Sequence, residues 1–126
     1  MKAKHGMVVA AVLVLMSCSS GGKLGGQVAD EMRLGTQAAQ RGYWQEALFR
    51  FEQARGVEPG NAEILNNVAV ALEALGQYEE ALTTYKKALE VAPKNASVKR
   101  NYARFAEFYT SYARGVRPKG ESGATH

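Results

Sequence analysis

The residues able to do chemistry are few and scattered. Cysteine occurs once, as Cys18, histidine only as His5 and His126, and between Val28 and Ala113 serine only as Ser97 and Ser111. A lone thiol forms no intramolecular disulfide, and without neighbouring cysteine or histidine it holds no zinc. A nucleophile needs a base within hydrogen-bond reach, yet neither histidine lies in the long middle segment. Ser97 and Lys99 are two apart, so on a helix they point to different faces. The carboxylates Asp30 and Glu31, and likewise Glu79 and Glu80, are adjacent and diverge in the same way, whereas a glycosidase needs its two acids across one cleft. No glycine-rich phosphate loop, histidine–glutamate metal motif or EF-hand spacing occurs. The sequence therefore predicts no catalytic residues, no metal and no cofactor.

Cys18 is better explained by what precedes it. Lys2 and Lys4 lead into the apolar run Met7–Met16 (MVVAAVLVLM), which gives way to Ser17, Cys18, Ser19 and Ser20. A basic start, a short apolar stretch and small residues after it describe a secretory leader over residues 1–17. Crossing a bilayer takes about 20 apolar residues, so the run is too short for a retained transmembrane helix. Leu15, Met16, Ser17 and Cys18 resemble the lipobox of bacterial lipoproteins, with Met16 a less usual occupant. That resemblance implies cleavage before Cys18 and acylation of its thiol and new amine. Two or three acyl chains make a lasting anchor where one is marginal. In Gram-negative lipoproteins an aspartate after the cysteine favours the inner membrane. Ser19 stands there, so the resemblance implies a lipid-anchored protein of the outer membrane facing the periplasm.

Past the cysteine the composition changes. Ser19–Gly26 reads SSGGKLGG, which predicts a flexible tether over residues 18–27 with a reach of about 15 Å. Residues 114–126, rich in glycine and charge and poor in apolar side chains, read as a disordered tail. The formal net charge is +4, of which Lys2 and Lys4 leave with the leader. The remainder is too small to suggest nucleic acid as a partner. Charge is uneven, with acids in excess from Val28 to Val91 and bases in excess from Lys94 to Glu121. That basic end could steer an acidic partner.

The middle segment repeats itself. A shift of 34 residues aligns Leu34 with Val68, Gly35 with Ala69, Gly42 with Gly76 and Trp44 with Tyr78. It then aligns Ala47 with Ala81, Phe51 with Tyr85, Ala54 with Ala88, Pro59 with Pro93 and Asn61 with Asn95. In each copy a stripe of apolar and small residues ends at glycine, which tolerates a left-handed cap. A second stripe follows, Ala47, Leu48, Phe51, Ala54 and Val57 in the first copy, with alanines small enough for close helix approach. Proline then stops the helix, and Asn61 or Asn95 can cap the next.

This period and these residues resemble the tetratricopeptide repeat. The resemblance implies an all-α, right-handed superhelical solenoid over residues 28–113. Two helix-turn-helix repeats (28–61 and 62–95) are followed by a capping helix (96–113) that matches the first helix of a third. A lone repeat is unstable and the ends need caps. In the cap, Val98, Tyr102, Phe105, Ala106 and Tyr109 form the inward stripe, while Phe108 and Tyr112 fall outside it as exposed aromatics.

In this family the first helices line a concave groove for peptides or helices. Carried onto this chain, the groove positions are Met32, Thr36, Gln40, Asn66, Asn67, Val70, Glu73, Arg100, Arg104 and Phe108. Asn67 coincides with an asparagine that some chaperone-binding members use to hold a peptide's terminal carboxylate. Met32, Thr36, Ser97 and Asn101 do not complete that clamp, so it is not expected. The resemblance implies an adaptor for a protein partner; tetratricopeptide lipoproteins include pilotins that help secretins or pili assemble and others that organise cell-wall enzymes, so a role in envelope assembly is expected. Self-association through the exposed cap, giving a structural envelope lipoprotein and a homo-oligomer, is the alternative. A small envelope hydrolase has no residues to support it.

Overall fold

A computed structural model of the protein describes residues 21–115, and all their regular structure is helical. The leader, Cys18 and residues 116–126 of the tail lie outside the described residues. The helices are α1 (Gly21–Gln40), α2 (Trp44–Val57), α3 (Ala62–Ala74), α4 (Tyr78–Val91) and α5 (Ala96–Ala113). Each packs on the next, and α5 also reaches back to α3, which makes a solenoid of two helix pairs with α5 on its end.

The turns inside the two pairs are alike. Gly42 and Gly76 both take φ of 76°. The Tyr43 N–H donates to the Ala38 carbonyl at 2.9 Å and the Gly42 N–H to Ala39 at 3.0 Å. Gln77 to Leu72 and Gly76 to Glu73 repeat the pattern at 2.9 and 3.0 Å. These paired bonds satisfy carbonyls that a helix end leaves open, and they need a left-handed residue to close. An L side chain there costs about 1–2 kcal/mol. We expect Gly42→Ala and Gly76→Ala each to lower stability by about 1 kcal/mol in chemical denaturation, with no change of helix content by circular dichroism.

Between repeats asparagine does the capping. The Asn61 Oδ1 accepts from the N–H groups of Glu63 and Ile64 at 3.0 and 3.3 Å, and Asn95 accepts from Val98 at 3.1 Å. The Asn61 amide also donates to Glu58 at 2.8 Å, tying the cap of α3 to the residue that ends α2.

The core is assembled from small residues at helix contacts and large ones in the gaps. Ala47, Ala54, Ala81 and Ala88 are wholly buried, as are the rings of Tyr85 and Phe105, and Phe51 is nearly so. Apolar burial on this pattern supplies the main stabilisation, at about 1.5–3 kcal/mol for each large side chain.

Two expectations need correction. Gly21–Gln27, read as part of a flexible tether, forms the first turns of α1. The packed part of α1 begins at Val28, the first buried residue, while Gly22–Gln27 are exposed. No neighbour lies near Gly22, Gly25 or Gly26. The helix there prolongs a ladder whose costly nucleus is formed elsewhere, since each added residue brings one more hydrogen bond. Glycine composition argued against that extension and could not see the nucleus that supports it.

Phe108 does not turn away from the domain, whereas Tyr112 is exposed. Their rings lie edge-on to Tyr78 at centroid distances of 5.0 and 4.9 Å, and Phe108 is half-buried against the core. The outer side of α5 carries exposed Lys99, Ala103, Glu107 and Thr110 instead. A terminal helix with such a face keeps the end of a solenoid soluble.

Candidate protein-binding groove

The Gly42 and Gly76 turns deliver an aromatic residue to the start of each second helix, Trp44 on α2 and Tyr78 on α4. Both rings sit beside the first helices of the repeats. A hollow of about 360 Å³ is lined by Trp44, Val70, Glu73, Ala74, Tyr78, Arg104 and Phe108. A second, of about 310 Å³, is lined by Thr36, Ala39, Gln40, Trp44, Phe51, Asn67 and Val70. Trp44 and Val70 belong to both, so the two form one groove running across α1, α3 and α5. Its lining is apolar with a few polar groups at the edge, which is the usual make-up of a recognition cleft.

One polar cluster crosses the groove. The buried Tyr85 hydroxyl donates to Glu73 Oε2 at 2.9 Å, and Arg104 Nη2 donates to the same oxygen at 3.1 Å. Glu73 is thereby held between α4 and α5, with 19% of its side chain exposed against 61% for Arg104. Burial, and then the adjacent Glu73 carboxylate, push the Tyr85 phenol well above its ordinary value. Because the folded value is raised, the stabilisation is fully present below the ordinary tyrosine pKa of about 10 and is lost as pH rises through the folded value. In a titration followed by phenolate absorbance, Tyr85 should stay protonated until the domain unfolds. Tyr85→Phe should remove that late step, and a Tyr85 that ionised in the folded chain near pH 10 would contradict the arrangement.

The structure brings together most of the positions expected from sequence. Thr36, Gln40, Asn67, Val70, Glu73, Arg104 and Phe108 line the groove. Met32 instead packs partly buried against the core, one turn below Thr36, whose hydroxyl donates to the Met32 carbonyl at 2.8 Å. Asn66 is buried and accepts from the Asn101 amide at 3.1 Å, so its carbonyl oxygen is engaged in joining α3 to α5. With Asn67 it borders a separate polar hollow beside Glu63, Asn95, Ser97 and Val98. Arg100 is exposed on α5 and lines neither half of the groove. Tyr112 is 54% exposed, and its ring continues the aromatic line from Tyr78 and Phe108. Sequence reasoning missed Trp44 and Tyr78 as groove residues. The signal is their alignment at 34 residues, which puts an aromatic ring at the start of each second helix.

A family model for the tetratricopeptide repeat matches residues 38–106. The chain belongs to the tetratricopeptide-repeat family. The match begins at the buried Ala38 before the first glycine turn and ends one residue beyond Phe105, so it takes in α2, α3 and α4 whole. No curated protein sequence matches the chain. Tetratricopeptide repeats generally mediate protein–protein interaction and are typically non-catalytic scaffolds. The groove described above lies on the first helices of these tetratricopeptide repeats, where α1, α3 and α5 present Thr36, Val70 and Phe108 side by side.

Proposed function

We propose that this protein is a membrane-anchored adaptor that holds a protein partner in its tetratricopeptide groove during assembly of an envelope complex such as a pilus or secretin. The observation that carries the reading is the groove itself. Trp44, Val70, Tyr78 and Phe108, one from each of α2 to α5, form an apolar cleft edged by Thr36, Gln40 and Asn67. Apolar area of this kind, ringed by polar groups, is where binding energy concentrates.

Support for the anchor comes from the leader pattern and from the lipobox resemblance of Leu15–Cys18. Lipid on Cys18 holds the domain at the periplasmic side of the outer membrane. No helix among the described residues is long and apolar enough to cross a membrane.

Two measurements in intact cells test this. Cys18→Ala should move the protein from the membrane fraction to the soluble fraction, and an unchanged membrane fraction would end the lipoprotein reading. A photo-crosslinking residue at Gln40 should capture a pilus, secretin or cell-wall protein, with capture lost on Val70→Asp. Capture of nothing but other copies of the chain would favour self-association over the adaptor role.

A further inference from the structure

The left-handed glycine turn is used a third time, at the end of α5. Gly115 takes φ of 69°, beside 76° at Gly42 and Gly76. Its N–H donates to the Tyr112 carbonyl at 2.9 Å, three residues back as in the other two turns. Within each repeat this turn sends the chain back along the helix it has just left, and along one particular face of it. Gly35 and Ala38, seven and four residues before Gly42, are buried, and Gly35 sits against the Phe51 ring of α2. Ala69 and Leu72 hold the same places before Gly76 and are buried likewise. Four and seven residues are one and two turns of helix, so the returning chain runs over the face that the glycine tops.

On α5 that face is a different one. Phe108 lies seven residues before Gly115 and Arg104 eleven, down one side of the helix. Both line the hollow that Trp44, Val70 and Tyr78 complete. The 34-residue register would place the turn at Thr110, and α5 overruns it, which carries the exit about 140° further around the helix axis. The chain therefore leaves α5 over the groove, not over the side on which a second helix packs.

Residues 116–126 read VRPKGESGATH. Phe108 stands about 10 Å below Gly115 along the helix, and three residues of extended chain also cover about 10 Å. The third residue after Gly115 is Pro118. Arg117, as the residue before a proline, favours extended backbone. Aromatic-lined clefts take up proline in extended chain because its ring is apolar and its backbone already ordered. Arg104 and Glu73 pair at 3.1 Å, so the hollow of about 360 Å³ carries no net charge and suits an uncharged ring.

We propose that residues 116–126 fold back from Gly115 along the groove face of α5 and seat Pro118 against Trp44, Tyr78 and Phe108. The tail is then the groove's occupant in the free protein. Tethering holds it at an effective concentration of about millimolar, so a weak contact is enough. A partner entering the groove must displace the tail; that consequence rests on the adaptor reading, whereas the docking does not.

The test uses the full chain with Cys18→Ala, which removes its only thiol, and a nitroxide label on Gly120→Cys. Trp44 is the single tryptophan and lines both halves of the groove, and a nitroxide held close to an indole quenches its emission. Trp44 emission should be quenched, and should recover when ascorbate reduces the label. Adding Pro118→Ser should weaken the quenching about threefold, since the proline ring supplies the apolar contact. Pro118 follows the last helix, so the circular dichroism should not change.

Trp44 emission that the label leaves unchanged, or quenching that Pro118→Ser leaves unchanged, would overturn the docking. Quenching that rises with protein concentration would put the tail in the groove of a second copy and overturn it as well. No partner is present in any arm, so the adaptor reading stands or falls separately, by the crosslinking at Gln40.

Discussion

Phe105→Ala should destabilise the domain by about 3–5 kcal/mol, the range for removing a fully buried aromatic side chain. Phe105 is wholly buried on α5. Its ring lies 5.3 Å from Tyr85, 5.8 Å from Tyr109, 6.2 Å from Phe108 and 6.4 Å from Tyr78, measured between centroids. It is the point where the end helix is fastened to the second repeat. The surrounding rings are themselves held by Phe105, so they cannot collapse into the space without losing their own contacts. Domains of this length are stable by about 0.05–0.15 kcal/mol per residue, so the loss removes a large share of the total. Each kcal/mol corresponds to about 4–8 °C in the unfolding midpoint at this size, and a fall of more than 10 °C is expected. Hydrogen exchange should rise first in α5, because solenoid units are stabilised mainly by their nearest neighbour. A loss below about 1 kcal/mol would mean that the cap is held elsewhere than at this cluster.

The same cluster marks the limit of what the sequence discloses. The 34-residue register is legible because it recurs in residues whose roles are local: Gly42 and Gly76 close turns, Asn61 and Asn95 cap helices, and Pro59 and Pro93 follow helix ends. Each acts through its own backbone, so its type alone states what it does. The facing of α5 is different. Val98, Tyr102, Phe105, Ala106 and Tyr109 form one stripe, but a first helix in a solenoid meets both the first and the second helix of the preceding repeat, and α5 contacts α3 and α4. Its buried arc is therefore wider than one seam. Phe108 lies at the far side of that arc, against Tyr78, where a narrow stripe assigns it to solvent.

The groove was partly legible for a related reason. Val70, Glu73 and Arg104 sit on first helices and follow from the repeat resemblance. Trp44 and Tyr78 sit on second helices, and reach the groove only because the left-handed glycine turn sets where α2 and α4 begin. Asn66 was lost to it because Asn101, one helix away, takes up its carbonyl oxygen. That contact is between side chains 35 residues apart, and neither residue type announces it.

Gly35→Ala should lower stability by about 2 kcal/mol, against the ordinary direction of such a change. Inside a helix alanine is favoured over glycine by about 1 kcal/mol. At Gly35, however, an added Cβ would stand 2.5 and 2.7 Å from Cε1 and Cδ1 of Phe51, where carbon atoms prefer about 3.5–4.0 Å. Phe51 is nearly fully buried and cannot swing into solvent, so α1 and α2 must separate or the ring must leave its rotamer. Overpacking of this kind costs about 1–3 kcal/mol and occasionally more, and a contact this close belongs at the upper end. The second repeat has Ala69 at the aligned position, wholly buried and accommodated, so the intolerance is a property of the Phe51 ring and not of the fold. Combining Gly35→Ala with Phe51→Leu should therefore cost less than the sum of the two single changes, by about 1 kcal/mol or more, as expected for residues in direct contact. Additive losses in urea denaturation would place the cost in the backbone of α1 and not in its contact with Phe51.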